Sequence, residues 1–362
     1  MARGPQPQPG VMDIKLYKGG ESHLQGHANV LKLSSNENPY GPSPAAIAAM
    51  RDAASQMHRY PSTDHGPLRA AIARTHGVDD TKVIIGVGSD EIIHFLCQCY
   101  AGPGDEVLYT RHGFSMYRIS ALAAGATPVQ VDEKERVVDV AALLNAVTPR
   151  TKLVFVTNPG NPTGTRLSTS DLNALADGLP GDVLLVLDGA YTEFAEGYDG
   201  GASLVDAAEN VVMLRTFSKA YGLGGLRVGW GYGAPGVIDT LNRIRGPFNV
   251  GLPQLAAAEA ALGDTAFFEK SIRENARLRT WLQTELRMAG IACDDSNANY
   301  VLARFQSPEE AQAADARLRA DGIIVRAVGG YGFPEGLRIT VGDEAGCARV
   351  MASIHAFRGA VA

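Results

Sequence analysis

The chain has 362 residues, 45% of them hydrophobic and 20% charged, with a formal net charge of −6. That length supports two domains, or one large domain with a satellite, and mild acidity without any run of Lys or Arg argues against nucleic acid or an anionic membrane surface as the main partner. No apolar run is long enough to span a bilayer, MARGPQPQPG lacks the apolar segment of a secretory signal, and Cys97, Cys99, Cys293 and Cys347 show no Cys-x-x-Cys spacing, so a cytoplasmic protein with reduced thiols and small-molecule ligands is expected.

Residues 1–10 read as a disordered tail. KLSSNENPYGPSP at 32–44 then crowds asparagine and proline without periodicity and reads as an ordered loop or arm, in which Asn36 and Asn38 either shape the chain or face a ligand. A helix is expected from Pro44 to about Met57, followed by a loop, His58-Arg59-Tyr60-Pro61, carrying an aromatic hydroxyl. Val83-Ile84-Ile85 reads as a short buried strand that turns through Gly86-Val87-Gly88-Ser89-Asp90-Glu91 into an apolar helix. The unpaired N–H groups and dipole of that helix start favour a phosphate, although a plain N-cap by Ser89 has the same local sequence.

Strands and helices then alternate: strand 106–109, helix 115–124, strand 127–131, helix 138–146, strand 152–157, helix 169–178, and strands 183–187, 211–215 and 227–231. The alternation predicts an α/β fold with a largely parallel sheet covered on both faces and ligands at the carboxyl ends of its strands. Beyond about residue 235 come a long amphipathic helix over 264–290, strand 299–304, helix 307–320, strands 323–327 and 337–341, and a last helix over 343–357, read as a second, smaller α/β domain.

The polar residues cluster where strands end. Strand 152–157 runs into Asn158-Pro159-Gly160-Asn161-Pro162-Thr163-Gly164, strand 183–187 into Asp188-Gly189-Ala190-Tyr191, and strand 211–215 into Thr216-Phe217-Ser218-Lys219 and a glycine-rich turn ending at Arg227. Desolvation and a neighbouring cation lower the pKa of a lysine so placed, which suits a Schiff-base amine; a surface turn with a solvated lysine has the same composition. Asp188 directly follows an apolar run, Val183 to Leu187, and a carboxylate buried there needs a cation such as a protonated ring nitrogen. One ligand accounts for the whole set: a pyridine-ring aldehyde carrying a phosphate. Its ring acts as an electron sink, with Tyr191 and Asn161 on the ring oxygen, Ser218, Arg227 and the helix start at Ser89-Asp90 on the phosphate, and Phe114 stacked on the ring face.

Asn161-Pro162-Thr163-Gly164, Asp188 with Tyr191, and Ser218-Lys219 with Arg227 resemble the pyridoxal-phosphate aminotransferases of fold type I. LSSNENPYGPSP at 33–44, HRYP at 58–61, GSDE at 88–91, SKAYGLGGLRVGW at 218–230, ANYVLARF at 298–305 and LRITVG at 337–342 are similar, within class II, to the histidinol-phosphate aminotransferases. The resemblance implies a large domain over 44–235 with a mostly parallel mixed sheet flanked by helices, a smaller C-terminal α/β domain over 236–362, and an arm over 11–43 packing on the small domain and on a homodimer partner. It also implies pyridoxal 5'-phosphate as cofactor, with Lys219 as its covalent anchor and proton shuttle and Asp188 at the ring nitrogen. Tyr191 and Asn161 would bind the ring oxygen, and Ser89, Asp90, Ser218 and Arg227 the phosphate, helped by Tyr60 from the other subunit. Arg326 and Arg338 would take the anionic end of the substrate, with Tyr17 and Asn38 in the same site. The activity implied is amino transfer between L-histidinol phosphate and 2-oxoglutarate, with no metal.

Three departures from the pattern stand out. Phe114-Ser115 stands where the family commonly has tyrosine and glycine, Gly189 where it has glutamate, and Gly160 where it has asparagine. The same lysine and aspartate would also serve an aromatic amino-acid transaminase, or a lyase or decarboxylase acting on threonine phosphate. A ligand-sensing module of a transcription regulator would need a basic recognition helix, which is absent from this sequence.

Overall fold

The computed structural model describes residues 4–17 and 19–361. Its strands are β1 (Leu31–Lys32), β2 (Val83–Gly86), β3 (Glu106–Thr110), β4 (Thr127–Val131), β5 (Thr151–Thr157), β6 (Leu184–Asp188), β7 (Val211–Thr216), β8 (Gly229–Gly233), β9 (Tyr300–Arg304), β10 (Ile323–Ile324), β11 (Arg326–Ala327) and β12 (Gly336–Thr340). A seven-stranded sheet runs in the order β2-β8-β7-β6-β5-β3-β4. Every neighbouring pair from β7 to β4 is parallel, and β8 alone runs against its neighbours β7 and β2.

The central strands are continuous apolar runs because both faces are covered. Alternate residues point to opposite sides: Val154, Val156, Leu185, Leu187, Val211 and Met213 join one core, while Leu153, Phe155, Leu184, Val186, Val212 and Leu214 join the other. Local signals set several helix starts. Ser43 caps Pro44–Ala54, Asp139 caps Val140–Ala146, and Ser168 and Asp171 form a capping box on Thr169–Gly178. Among the described residues no helix is long and apolar enough to cross a membrane. The cysteines are free thiols, and burial pushes the Cys97 thiol up to about 12.

The expected strand 323–327 is two strands in two sheets. Ile323 and Ile324 pair in parallel with Leu31 and Lys32, whereas Arg326 and Ala327 pair with Arg338 and Leu337 in the three-stranded antiparallel sheet β11-β12-β9. One apolar run therefore changes partner at the buried Val325, and the sequence carries no mark of that change. The short β1 was not expected at all; its pairing fastens the arm to the C-terminal part of the chain. Of the expected disordered tail, residues 1–3 lie outside the described residues. Gly10, at φ +87°, turns the chain into a short 3-10 helix, Val11–Asp13, and leaves no room for a Cβ against the Leu122 carbonyl.

Beneath the lysine turn lies a buried ion pair. Arg215 donates from Nε and Nη2 to Glu193 Oε1 at 3.0 and 2.8 Å, and its guanidinium sits 5.5 Å from the centre of the Trp230 ring. Both side chains are almost completely buried, at 6% and 2% exposure. Removing one partner strands the other charge, so Glu193→Ala is expected to cost about 3–5 kcal/mol of stability. Denaturant unfolding checks this, and a change under about 1 kcal/mol contradicts it.

Candidate active site

The parallel register sets the chemistry. Thr157 lies opposite Asp188 on β5 and β6, and Asp188 opposite Leu214 on β7, so the segments after these strands emerge side by side. They open into a cavity of about 300 Å³ lined by Asn161, Asp188, Tyr191, Ser218, Lys219 and Arg227, together with Ser89, Asp90, Phe114, Tyr17, Arg326 and Arg338. The residues singled out from sequence thus converge, apart from Asn38 and Tyr60.

Asn38 does not face the cavity. Its Nδ2 donates to the Ala220 carbonyl at 2.8 Å and its Oδ1 accepts from the Tyr40 N–H at 2.9 Å, so it holds the arm against the lysine turn. Of the two arm asparagines it is Asn36 that enters the site, donating to the Tyr191 hydroxyl at 2.9 Å from a left-handed backbone, φ 55°. Tyr60 lies on the outside of its own chain, 80% exposed and stacked on Phe248 at 4.4 Å.

At the helix start the N-cap is Gly88, with no side chain capping the helix Ser89–Tyr100, so Ser89 is its first residue rather than its cap. A Cβ at Gly88 would run into Asp90 Oδ1 and Arg227 Nη2, which leaves a cradle only glycine provides, at φ +78°. Asp90 stands in the first turn of this helix, as expected, and its side chain has a further partner. Its carboxylate accepts from Arg227 Nη2 at 2.8 Å and so orients the arginine, while the backbone N–H is the group it brings to the helix start. Arg227 Nη1 donates to Ser218 Oγ at 3.2 Å and to the Gly224 carbonyl at 3.1 Å. Gly222, at φ +70°, serves the arm: a Cβ there would run into the Gly41 carbonyl.

Lys219 projects into the cavity, its Nζ donating to the Ser35 carbonyl at 3.2 Å. Burial, followed by the positive charges of Arg338 and Arg227, lowers its pKa to about 8. Asp188, 3% exposed, is shifted the other way: burial raises it, while the Tyr117 hydroxyl and the Ala190 N–H hold it down. Tyr191 is pushed up to about 12 by burial. Arg338 is buried, donating from Nη1 to Asn161 Oδ1 at 2.6 Å and from Nη2 to the Ser34 carbonyl at 2.9 Å, while its Nε finds no hydrogen-bond partner. Arg326 Nη1 donates to the Gly19 carbonyl at 2.9 Å.

Two of the departures, at Gly189 and Gly160, have local causes. At Gly189 a Cβ would meet Thr192 Oγ1 at 2.5 Å and the Leu214 carbonyl at 2.9 Å, so this backbone leaves no room for glutamate. A Cβ at Gly160 would meet Thr163 Oγ1 at 2.7 Å. Sequence reasoning passed over Ser34, Ser35, Glu37, Thr157 and Tyr331, all of which line the cavity, and Tyr117 behind it. No local signal marks Tyr117, which lies in the helix Ser115–Ala123 behind the N-cap Phe114.

The family model for aminotransferase class I and II matches residues 28–354. A histidinol-phosphate aminotransferase of Jannaschia sp. (strain CCS1) is 62% identical over 351 residues, covering 97% of this chain and 98% of that one. The same-named protein of Ruegeria sp. (strain TM1040) is 61% identical over 356 residues, covering 98% of each. A solved histidinol-phosphate aminotransferase of Sinorhizobium meliloti, in complex with pyridoxal-5'-phosphate, superposes with a TM-score of 0.91 at 26% identity over 100% of both chains. With its strand-end cavity and a family match over nearly its whole length, the chain belongs to the aminotransferase class I and II family.

Proposed function

We propose that this chain is a pyridoxal-phosphate-dependent transaminase that moves the amino group of L-histidinol phosphate to 2-oxoglutarate, in histidine biosynthesis in the cytoplasm. The observation that carries the substrate is identity of about 60% over essentially the whole chain to relatives named for it. The residues present fit the cofactor. The cradle at Gly88, with Ser89, Ser218 and Arg227, suits its phosphate, and the buried Asp188 carboxylate suits a cationic ring nitrogen.

When bound, the cofactor supplies an aldehyde that accepts amino groups and a ring that spreads the charge of a carbanion. The rest belongs to the chain. Lys219, with its lowered pKa, is a ready nucleophile and then a proton carrier at Nζ. Asp188 keeps a proton on the ring nitrogen. Tyr191, steadied by Asn36, and Asn161, oriented by Arg338, donate to the ring oxygen. Arg338 and Arg326, with Tyr17, receive the carboxylate of one substrate and the phosphate of the other.

The working unit in this proposal is a homodimer. Tyr60 and Phe248, together with the exposed Met57 and Ile244, offer an apolar surface, and Tyr60 reaches the partner's phosphate cradle. Steady-state kinetics decide the substrate. We expect kcat/KM for L-histidinol phosphate at least tenfold above that for L-phenylalanine, about 1.4 kcal/mol in transition-state binding; the reverse preference overturns the assignment in favour of an aromatic transaminase.

A further inference from the structure

A tyrosine that does not line the cavity reaches Asp188 from behind. Tyr117, on the helix Ser115–Ala123, is completely buried. Its hydroxyl donates to Asp188 Oδ2 at 2.6 Å and lies 2.7 Å from Thr157 Oγ1. A phenol has one proton, so while it donates to the carboxylate it accepts from the threonine, giving a polarised chain from Thr157 through Tyr117 to Asp188. The ring is fixed on both sides, stacked on Phe155 at 4.6 Å and 11° and edge-on to Phe114 at 6.0 Å and 89°. The other carboxylate oxygen, Oδ1, accepts from the Ala190 N–H at 3.1 Å.

A buried carboxylate needs such donors to stay ionised. We propose that Tyr117, backed by Thr157, is a positioning residue that keeps Asp188 ionised and aimed at the cofactor's ring nitrogen. The inference rests on the cofactor reading above. The stack on Phe155 and the contact with Phe114 also join the orientation of the aspartate to that of the ring expected to stack on the cofactor. The other titratable groups acting on Asp188 are Asp90 and Lys219, with Tyr191 and Tyr300 nearby, and none of them changes in the test.

Tyr117→Phe keeps the ring and its stacking but removes one of the two donors to Asp188. In the holoenzyme we expect kcat to fall about tenfold with substrate KM within about twofold. The acid limb of the kcat–pH profile moves up by about one pH unit, because ionising Asp188 becomes harder. The cofactor dissociation constant, measured by equilibrium dialysis, rises about tenfold. Thr157→Val shifts the same readouts in the same direction by less, and it decides the matter alone if Tyr117→Phe fails to fold. A folded Tyr117→Phe with the parent's pH profile and cofactor affinity overturns the inference, leaving the hydroxyl a satisfied buried group. The underlying reading is tested separately in the parent protein by a visible absorption band that an amino donor bleaches; without that band, reading and inference fail together.

Discussion

Lys219→Ala removes turnover, by at least about a thousandfold, while the chain still folds and binds pyridoxal phosphate without a covalent link. In the proposed function the lysine is both the amine that captures the aldehyde and the base that carries the proton, and among the described residues no second lysine lines the cavity. Alanine leaves Asp188, Tyr191, Ser218 and Arg227 to hold the cofactor. Single-turnover measurement with L-histidinol phosphate checks the loss, and activity within tenfold of the parent contradicts the assignment. The pKa of about 8 gives the parent a second signature. At pH 7 about a tenth of Lys219 is neutral, against roughly one part in three thousand at its ordinary pKa, so the rate of cofactor capture by the cofactor-free chain rises with pH and levels off above about 8. The same depression makes folding easier as pH rises from about 8 towards the ordinary lysine value, because there the unfolded chain binds the extra proton.

Asp188→Asn is the second large effect. The amide fills the same space, and its oxygen still accepts from Tyr117 or Ala190, but it carries no charge to hold a proton on the ring nitrogen. We expect kcat to fall about a hundredfold to a thousandfold, the range for removing one preorganised electrostatic partner, with a smaller change in KM. Near-parent kcat would count against the pairing. Stability moves the other way. Burial holds the pKa of Asp188 above its ordinary value, so its ionisation lowers the stability of the cofactor-free chain as pH rises through the ordinary carboxylate range. Asp188→Asn removes that cost, and the variant's cofactor-free melting temperature at neutral pH is expected to equal or exceed the parent's; a clear fall contradicts it.

Much of this protein was legible from one strand-end pattern. Short apolar runs bounded by turn residues, such as residues 184–187, read as strands buried on both faces, and although a single aspartate or lysine at the end of one such run also fits a plain surface turn, polar groups at several strand ends together point to one ligand. The helices expected from Pro44 and over 169–178 do start behind the capping side chains of Ser43 and Ser168, whereas the one expected from 138 starts at Val140, behind its cap Asp139, since a capping side chain acts within three residues of its own position. The match in motif order then carried the family and the cofactor.

Contacts between distant residues were decided elsewhere. Nothing near residue 117 announces that its hydroxyl meets Asp188, because 71 residues separate the pair and only the order of parallel strands brings them together. The split of 323–327 between two sheets, the choice of Asn36 over Asn38 as the arm's contribution, and the pairing of Asp90 with Arg227 all depend on partners far away in the chain. Composition and local pattern determined which groups this protein brings to its site and at which strand ends. The tertiary structure alone decided which of them touch, because hydrogen bonds and burial act through space and the sequence orders residues only along the chain.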